Sequence, residues 1–108
     1  MAFPQTWTAI QNNITPGLVV PNWTKDRKYL GDSFEIGTML YSQVDVISPN
    51  ATNIQCVPKN DFEIVYLCWP LYMSGAVKRS AIRDDTRYSK YIISIFHWLE
   101  NQLGGQLP

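Results

Sequence analysis

This chain is short of the residues that carry chemistry. It has one histidine, two cysteines and a charged fraction of 17% in 108 residues. Cys56 and Cys68 lie too far apart in sequence, with no further Cys or His beside them, to read as a metal pair. They are expected to be reduced core fillers. No Gly-rich phosphate loop is present, because Gly104-Gly105 has no helix after it and marks a helix end instead. There is no long apolar run to span a membrane, and Met-Ala-Phe-Pro-Gln-Thr has no basic flank, so neither a transmembrane segment nor a signal peptide is expected. The Asn-x-Thr matches at Asn13, Asn22 and Asn50 then read as chance matches on loop residues. Repeats and low-complexity segments are absent too. These absences place the chain in the cytoplasm, away from membranes, with no cofactor and no metal, and favour a protein that is not an enzyme.

What is present is apolar and aromatic. The hydrophobic fraction is 45%, with four Trp, six Tyr and four Phe, enough for one core in a single domain spanning residues 1–108. Net charge is zero but uneven: residues 1–58 carry −1, residues 59–75 carry −1, residues 76–90 carry +3, and Glu100 brings the total to zero. A neutral chain has no global field to steer a polyanion, yet a local basic patch remains.

Hydrophobic periodicity predicts an α+β domain. Phe3, Trp7, Ile10 and Ile14 recur at helical spacing, with Pro4 in the first turn. Pro16-Gly17 forces a turn, and Leu18-Val19-Val20 opens a strand that Pro21 keeps short or places at an edge. A polar loop is expected over 24–32. Alternation predicts strands at Ser33–Leu40, Gln43–Ile47 and 52–57, the last with Ile54 and Cys56 inward, joined by turns at Tyr41-Ser42 and 48–51. The result is a four- to five-stranded antiparallel sheet or an SH3-like barrel. Two C-terminal helices follow. The first carries Asn60 and Glu63 as a capping box and the stripe Phe62, Val65, Trp69, Tyr72, with a kink or an end of its regular part at Pro70 and termination at Ser74-Gly75. A connector over 76–83 holds one short turn. The last helix, capped by Asp84, Asp85 or Thr86, runs to about Asn101, after which the tail frays. The core is read as Trp7, Ile10, Val20, Phe34, Ile36, Val44, Val46, Ile54, Phe62, Val65, Trp69, Ile92, Ile95 and Leu99.

Two sets of residues are candidates for binding. Arg87, Lys90, Ser94, His97 and Asn101 share one face of the last helix, and Lys78, Arg79 and Arg83 lie just before it. Lys78, Arg79, Arg83, Arg87, Lys90 and His97 therefore form the candidate surface for nucleic acid or a protein partner, weighed against a face that is merely solvated. His97 has no nucleophile or second ligand spaced near it. The second set, Trp7, Trp23, Tyr29 and Trp69, would wall an aromatic pocket for a small molecule. Asp61 and Glu63 beside Lys59 fit a helix first turn better than a nuclease centre. The opposite side of the last helix, with Tyr91, Ile92, Ile93, Ile95, Phe96, Trp98 and Leu99, is wider than the roughly 100° arc a surface helix needs. It is either sandwiched inside the chain or joins a homodimer.

The pattern Phe62-x-x-Val65-Tyr66-x-x-Trp69-x-x-Tyr72-x-x-Gly75, then Lys78-Arg79, then Thr86-Arg87-x-Ser89-x-Tyr91-Ile92-Ile93-Ser94-Ile95, resembles small accessory modules of restriction and other mobile-element proteins. The resemblance implies a nucleic-acid-linked or defence-linked accessory role and transfers no catalytic residue. The function read from sequence is thus a non-enzymatic binding or accessory protein, ahead of a small-molecule-binding protein and, last, an enzyme.

Overall fold

A computed structural model describes residues 3–49 and 53–108. The chain runs α1 (Phe3–Asn13), β1 (Val19–Thr24), β2 (Lys28–Met39), β3 (Gln43–Ile47), β4 (Gln55–Pro58), α2 (Lys59–Ser74), α3 (Arg79–Asp85) and α4 (Ser89–Leu103). The strands form an open antiparallel sheet in the order β1-β2-β3-β4, so the architecture is α+β, with the sheet realised and not the barrel. Pro21, which has no N–H to donate, sits in β1 at the sheet edge, as its chemistry requires.

The segment read as a polar loop is a hairpin. Trp23 pairs with Tyr29 and Thr24 with Lys28. The Thr24 hydroxyl accepts the Arg27 N–H at 3.1 Å, and Lys28 takes φ 60 at the end of the turn. A glycine or asparagine normally fills that left-handed position. Here a lysine does, so the hairpin carries none of its usual sequence signal. Further along β2, residues 30, 31 and 32 stand opposite Asn22 alone, and Gly31 at φ +92 turns the chain through the bulge.

β4 differs from expectation by one residue. Val57 pairs with Val44 and is fully buried, whereas Ile54 is 55% exposed and Cys56 is exposed. A one-residue slip exchanges the two faces of a strand, which removes Ile54 from the core and Cys56 from its role as a filler. Cys68 is half-buried. The turn expected over 48–51, the start of that strand and the match at Asn50 lie partly or wholly outside the described residues. Asn22 is buried in β1 and Asn13 donates to the Ala9 carbonyl within α1, so neither is a loop residue.

α2 starts at Lys59, whose N–H is held by the Ser42 carbonyl at 2.8 Å, with Pro58 as N-cap and no side-chain cap. Asn60 is therefore inside the helix, and the expected capping box does not form. Pro70 does not end the helix, which continues to Gly75 in the left-handed cap conformation. The basic connector is α3, anchored by buried Ile82. α4 begins after Tyr88, and Thr86 serves elsewhere: it donates to the Asp61 carboxylate at 2.6 Å and accepts the Tyr88 N–H at 3.1 Å, tying α2 to the start of α4.

α4 is the centre of the molecule. Ile92, Ile93, Ile95, Phe96 and Leu99 are fully buried, and the helix packs against β1 as well as α1, α2 and α3. Phe96 meets Phe62 and Trp69 of α2, while Tyr91 meets Phe34 of β2. Most of the wide apolar arc is thus consumed inside the chain, with Tyr91 and Trp98 half-buried at its margins.

Candidate functional site

The polar stripe of α4 is also largely consumed, because it faces the β1–β2 hairpin. The Ser94 hydroxyl accepts the Trp23 N–H at 3.0 Å and donates to the Lys90 carbonyl at 2.9 Å. His97 lies flat on Trp23, with ring centroids 3.7 Å apart and planes within 1°. Its Nε2 is 3.2 Å from the Asn101 amide nitrogen and 3.3 Å from the Tyr29 hydroxyl. With the imidazole proton on Nδ1, both neighbours donate to Nε2. Burial first, and the Lys28 charge second, hold the His97 pKa below its ordinary value, so the ring is neutral at physiological pH. Lys90 reaches Asp32 of β2 at 3.9 Å.

The remaining basic residues lie around α3. Arg87 folds back on Tyr88, its guanidinium 4.9 Å from the ring centre and donating to the hydroxyl at 2.6 Å. Lys78 and Arg83 are exposed. Arg79 is half-buried, and its Nε is enclosed without an acceptor among the described residues. The six basic candidates thus split: Lys90 and His97 dock the hairpin, while Lys78, Arg79, Arg83 and Arg87 stay on the α3 side.

The four aromatic candidates do not wall one pocket. Trp7 packs on Phe3 and Phe62 and donates to the Tyr41 carbonyl. Trp23 underlies His97, and Tyr29 meets the same imidazole edge-on from an exposed position. Trp69 alone reaches an open groove, which sequence reasoning missed.

That groove has a volume of about 750 Å³. Tyr66, Leu67, Trp69, Pro70 and Met73 of α2 form one wall, Glu100 of α4 lies at its base, and residues 105–108 form the other side. The tail does not fray. Pro108 accepts hydrogen bonds at its carbonyl from the Thr6 hydroxyl at 2.9 Å and the Tyr66 hydroxyl at 3.0 Å. Glu100 Oε2 accepts the Trp69 indole N–H at 3.0 Å and the Leu107 N–H at 3.3 Å. These bonds join α1, α2, α4 and the tail into a shaped edge. Leu67, on the groove wall, is 70% exposed, and Leu71, one helical turn on and outside the groove, is 50% exposed. The glycine pair after α4 was the available sequence signal for the groove, because a chain reversal there sends the tail back along α2.

Among the described residues, no three of His, Cys, Asp and Glu gather as a metal site, and no helix is long and apolar enough to cross a membrane. No protein-family model, curated protein or solved structure matches this chain.

Proposed function

We propose that this chain is a non-enzymatic binding protein that holds an apolar segment of a protein partner in the groove between α2 and residues 105–108. The observation that carries the reading is the continuity of the groove with exposed Leu67 and Leu71. A small molecule favours enclosure, whereas a groove flanked by leucines on a convex helix suits a polypeptide. Glu100 supplies a directional element. Its Oε2 is committed to Trp69 and Leu107, and Oε1 has no partner among the described residues, so it can accept an N–H from the bound segment. The resemblance of the C-terminal part to accessory modules of mobile-element proteins fits such a role. Two free thiols fit a cytoplasmic setting.

The test is selection from a library of displayed random peptides, in parallel against the parent protein and a Leu67→Asp variant. Enrichment of apolar peptides by the parent, lost with the variant, is the expected result. No enrichment, or the same peptides from both baits, would overturn the reading.

A further inference from the structure

A second hollow, of about 350 Å³, opens on the other side of the α2 C-terminus. It is polar where the groove is apolar. Lys25 and Asp26 of the β1–β2 turn face Tyr72, Gly75 and Lys78 across it. Tyr72 is 2% exposed. Its hydroxyl oxygen accepts the Lys25 backbone N–H at 2.9 Å, and its own proton has no acceptor among the described residues. Burial, ahead of every other influence, raises the Tyr72 pKa, so the phenol keeps that proton at neutral pH. Gly75 adopts φ +89, the left-handed conformation that favours glycine, and its backbone lies beside the Lys25 ammonium, since a Cβ built there would be 3.8 Å from Lys25 Nζ. Arg79 is close enough for its charge to act on the Tyr72 phenol.

We infer that this hollow binds a phosphate group, with Lys25 and Lys78 as its cationic contacts and the Tyr72 hydroxyl as a neutral donor. The charge balance selects the class. Lys25 and Lys78 line the hollow against Asp26, and Arg79, outside the lining, adds a further positive charge within electrostatic reach of Tyr72, a field that favours a phosphate or phosphomonoester dianion over a carboxylate. Lysine ammonium groups are common phosphate ligands, acting as point charges. Among the described residues none of these three cations forms an ion pair within 4.0 Å, whereas Lys90 does. The site is independent of the apolar groove and does not rest on it.

The experiment is isothermal titration of the full chain with inorganic phosphate, adenosine 5′-monophosphate, adenosine and acetate. Saturable binding of phosphate with no heat from acetate or adenosine is the expected result. Phosphate and the nucleotide binding alike marks a free oxyanion as the ligand, and tighter nucleotide binding marks a phosphomonoester. Lys78→Ala and Lys25→Ala should each weaken binding by about tenfold or more, the scale of a lost charge-assisted bond. Tyr72→Phe should weaken it less, and circular dichroism checks its folding. If that variant unfolds, Lys78→Ala, at an exposed residue, decides. Arg83→Ala, a cation of α3 outside the hollow, and Leu67→Asp in the groove should bind like the parent. The inference is overturned if neither phosphate nor the nucleotide saturates at roughly 10 mM, where a millimolar site would be filled. It is equally overturned if Lys25→Ala and Lys78→Ala bind like the parent, or if Arg83→Ala weakens binding as much as they do.

Discussion

α4 and α2 carry similar mixtures of apolar and polar residues and dispose of them in opposite ways. α4 hides its apolar arc among α1, α2, α3 and the sheet, then places Lys90, Ser94 and His97 against the β1–β2 hairpin. α2 buries Phe62, Val65, Trp69 and Tyr72 and leaves Leu67 and Leu71 in water. The helix whose polar stripe looked like a binding face is therefore a structural post. The helix whose stripe looked purely structural presents the free apolar surface. A stripe on a helical wheel reports what the residues are, and only the neighbouring element decides whether that stripe meets solvent or protein.

The sharpest way to break this contrast is to truncate one apolar side chain from each helix. Phe96→Ala should cost about 3–5 kcal/mol, because it opens a cavity between Phe62 and Trp69. Leu67→Ala should change stability by no more than about 0.5 kcal/mol, as exposed positions do. Urea unfolding of the two variants makes the comparison, and equal costs would refute it.

The next effect comes from the polar face of α4. Ser94→Ala removes only the hydroxyl and leaves the Trp23 backbone N–H buried without its acceptor, a loss of about 1–3 kcal/mol. A solvated stripe would tolerate the change with no loss, and the same denaturation experiment distinguishes the two outcomes.

The smallest effect depends on pH. The His97 pKa is lowered from 6.5 by burial and then by Lys28. Above about pH 6.5 the ring is neutral in both folded and unfolded chains, and its contribution to stability is complete. As the pH falls from there, the unfolded chain takes up a proton that the folded chain resists, so stability declines until the folded pKa is passed. His97→Phe preserves a ring on Trp23 and should flatten that part of the profile. Unfolding midpoints measured from about pH 7.5 to about pH 5 would show it, and parallel profiles for parent and variant would mean that His97 does not titrate differently on folding.

Much of the fold was legible because periodicity matched element type. Phe3, Trp7 and Ile10 line the inner face of α1 with buried Ile14 just beyond its end, and β3 occupies the residues that alternation assigned to it. What escaped notice depends on features that carry no composition signal. The β1–β2 hairpin turns on a left-handed lysine where glycine is usual, so a docking element for α4 read as loop. With the hairpin invisible, Lys90 and His97 had no visible partner and looked free. Of the four proposed pocket aromatics, Trp69 alone reaches a groove. Its far wall comes from residues 105–108, which local sequence describes only as a helix stop followed by a short tail. The polar hollow beside the α2 C-terminus draws Lys25 and Tyr72 together across forty-seven positions, a pairing that only tertiary structure creates.

Two-dimensional NMR of the indole N–H groups tests the central contrast most directly, because the four tryptophans report separate places. The protein would be titrated with an apolar peptide selected by display. The Trp69 signal, whose N–H is bonded to Glu100 at the groove base, should shift, while the Trp23 signal beneath His97 should stay in place. A shift at Trp23 with Trp69 unmoved would contradict the account, since it would put the binding face back on α4 and the hairpin.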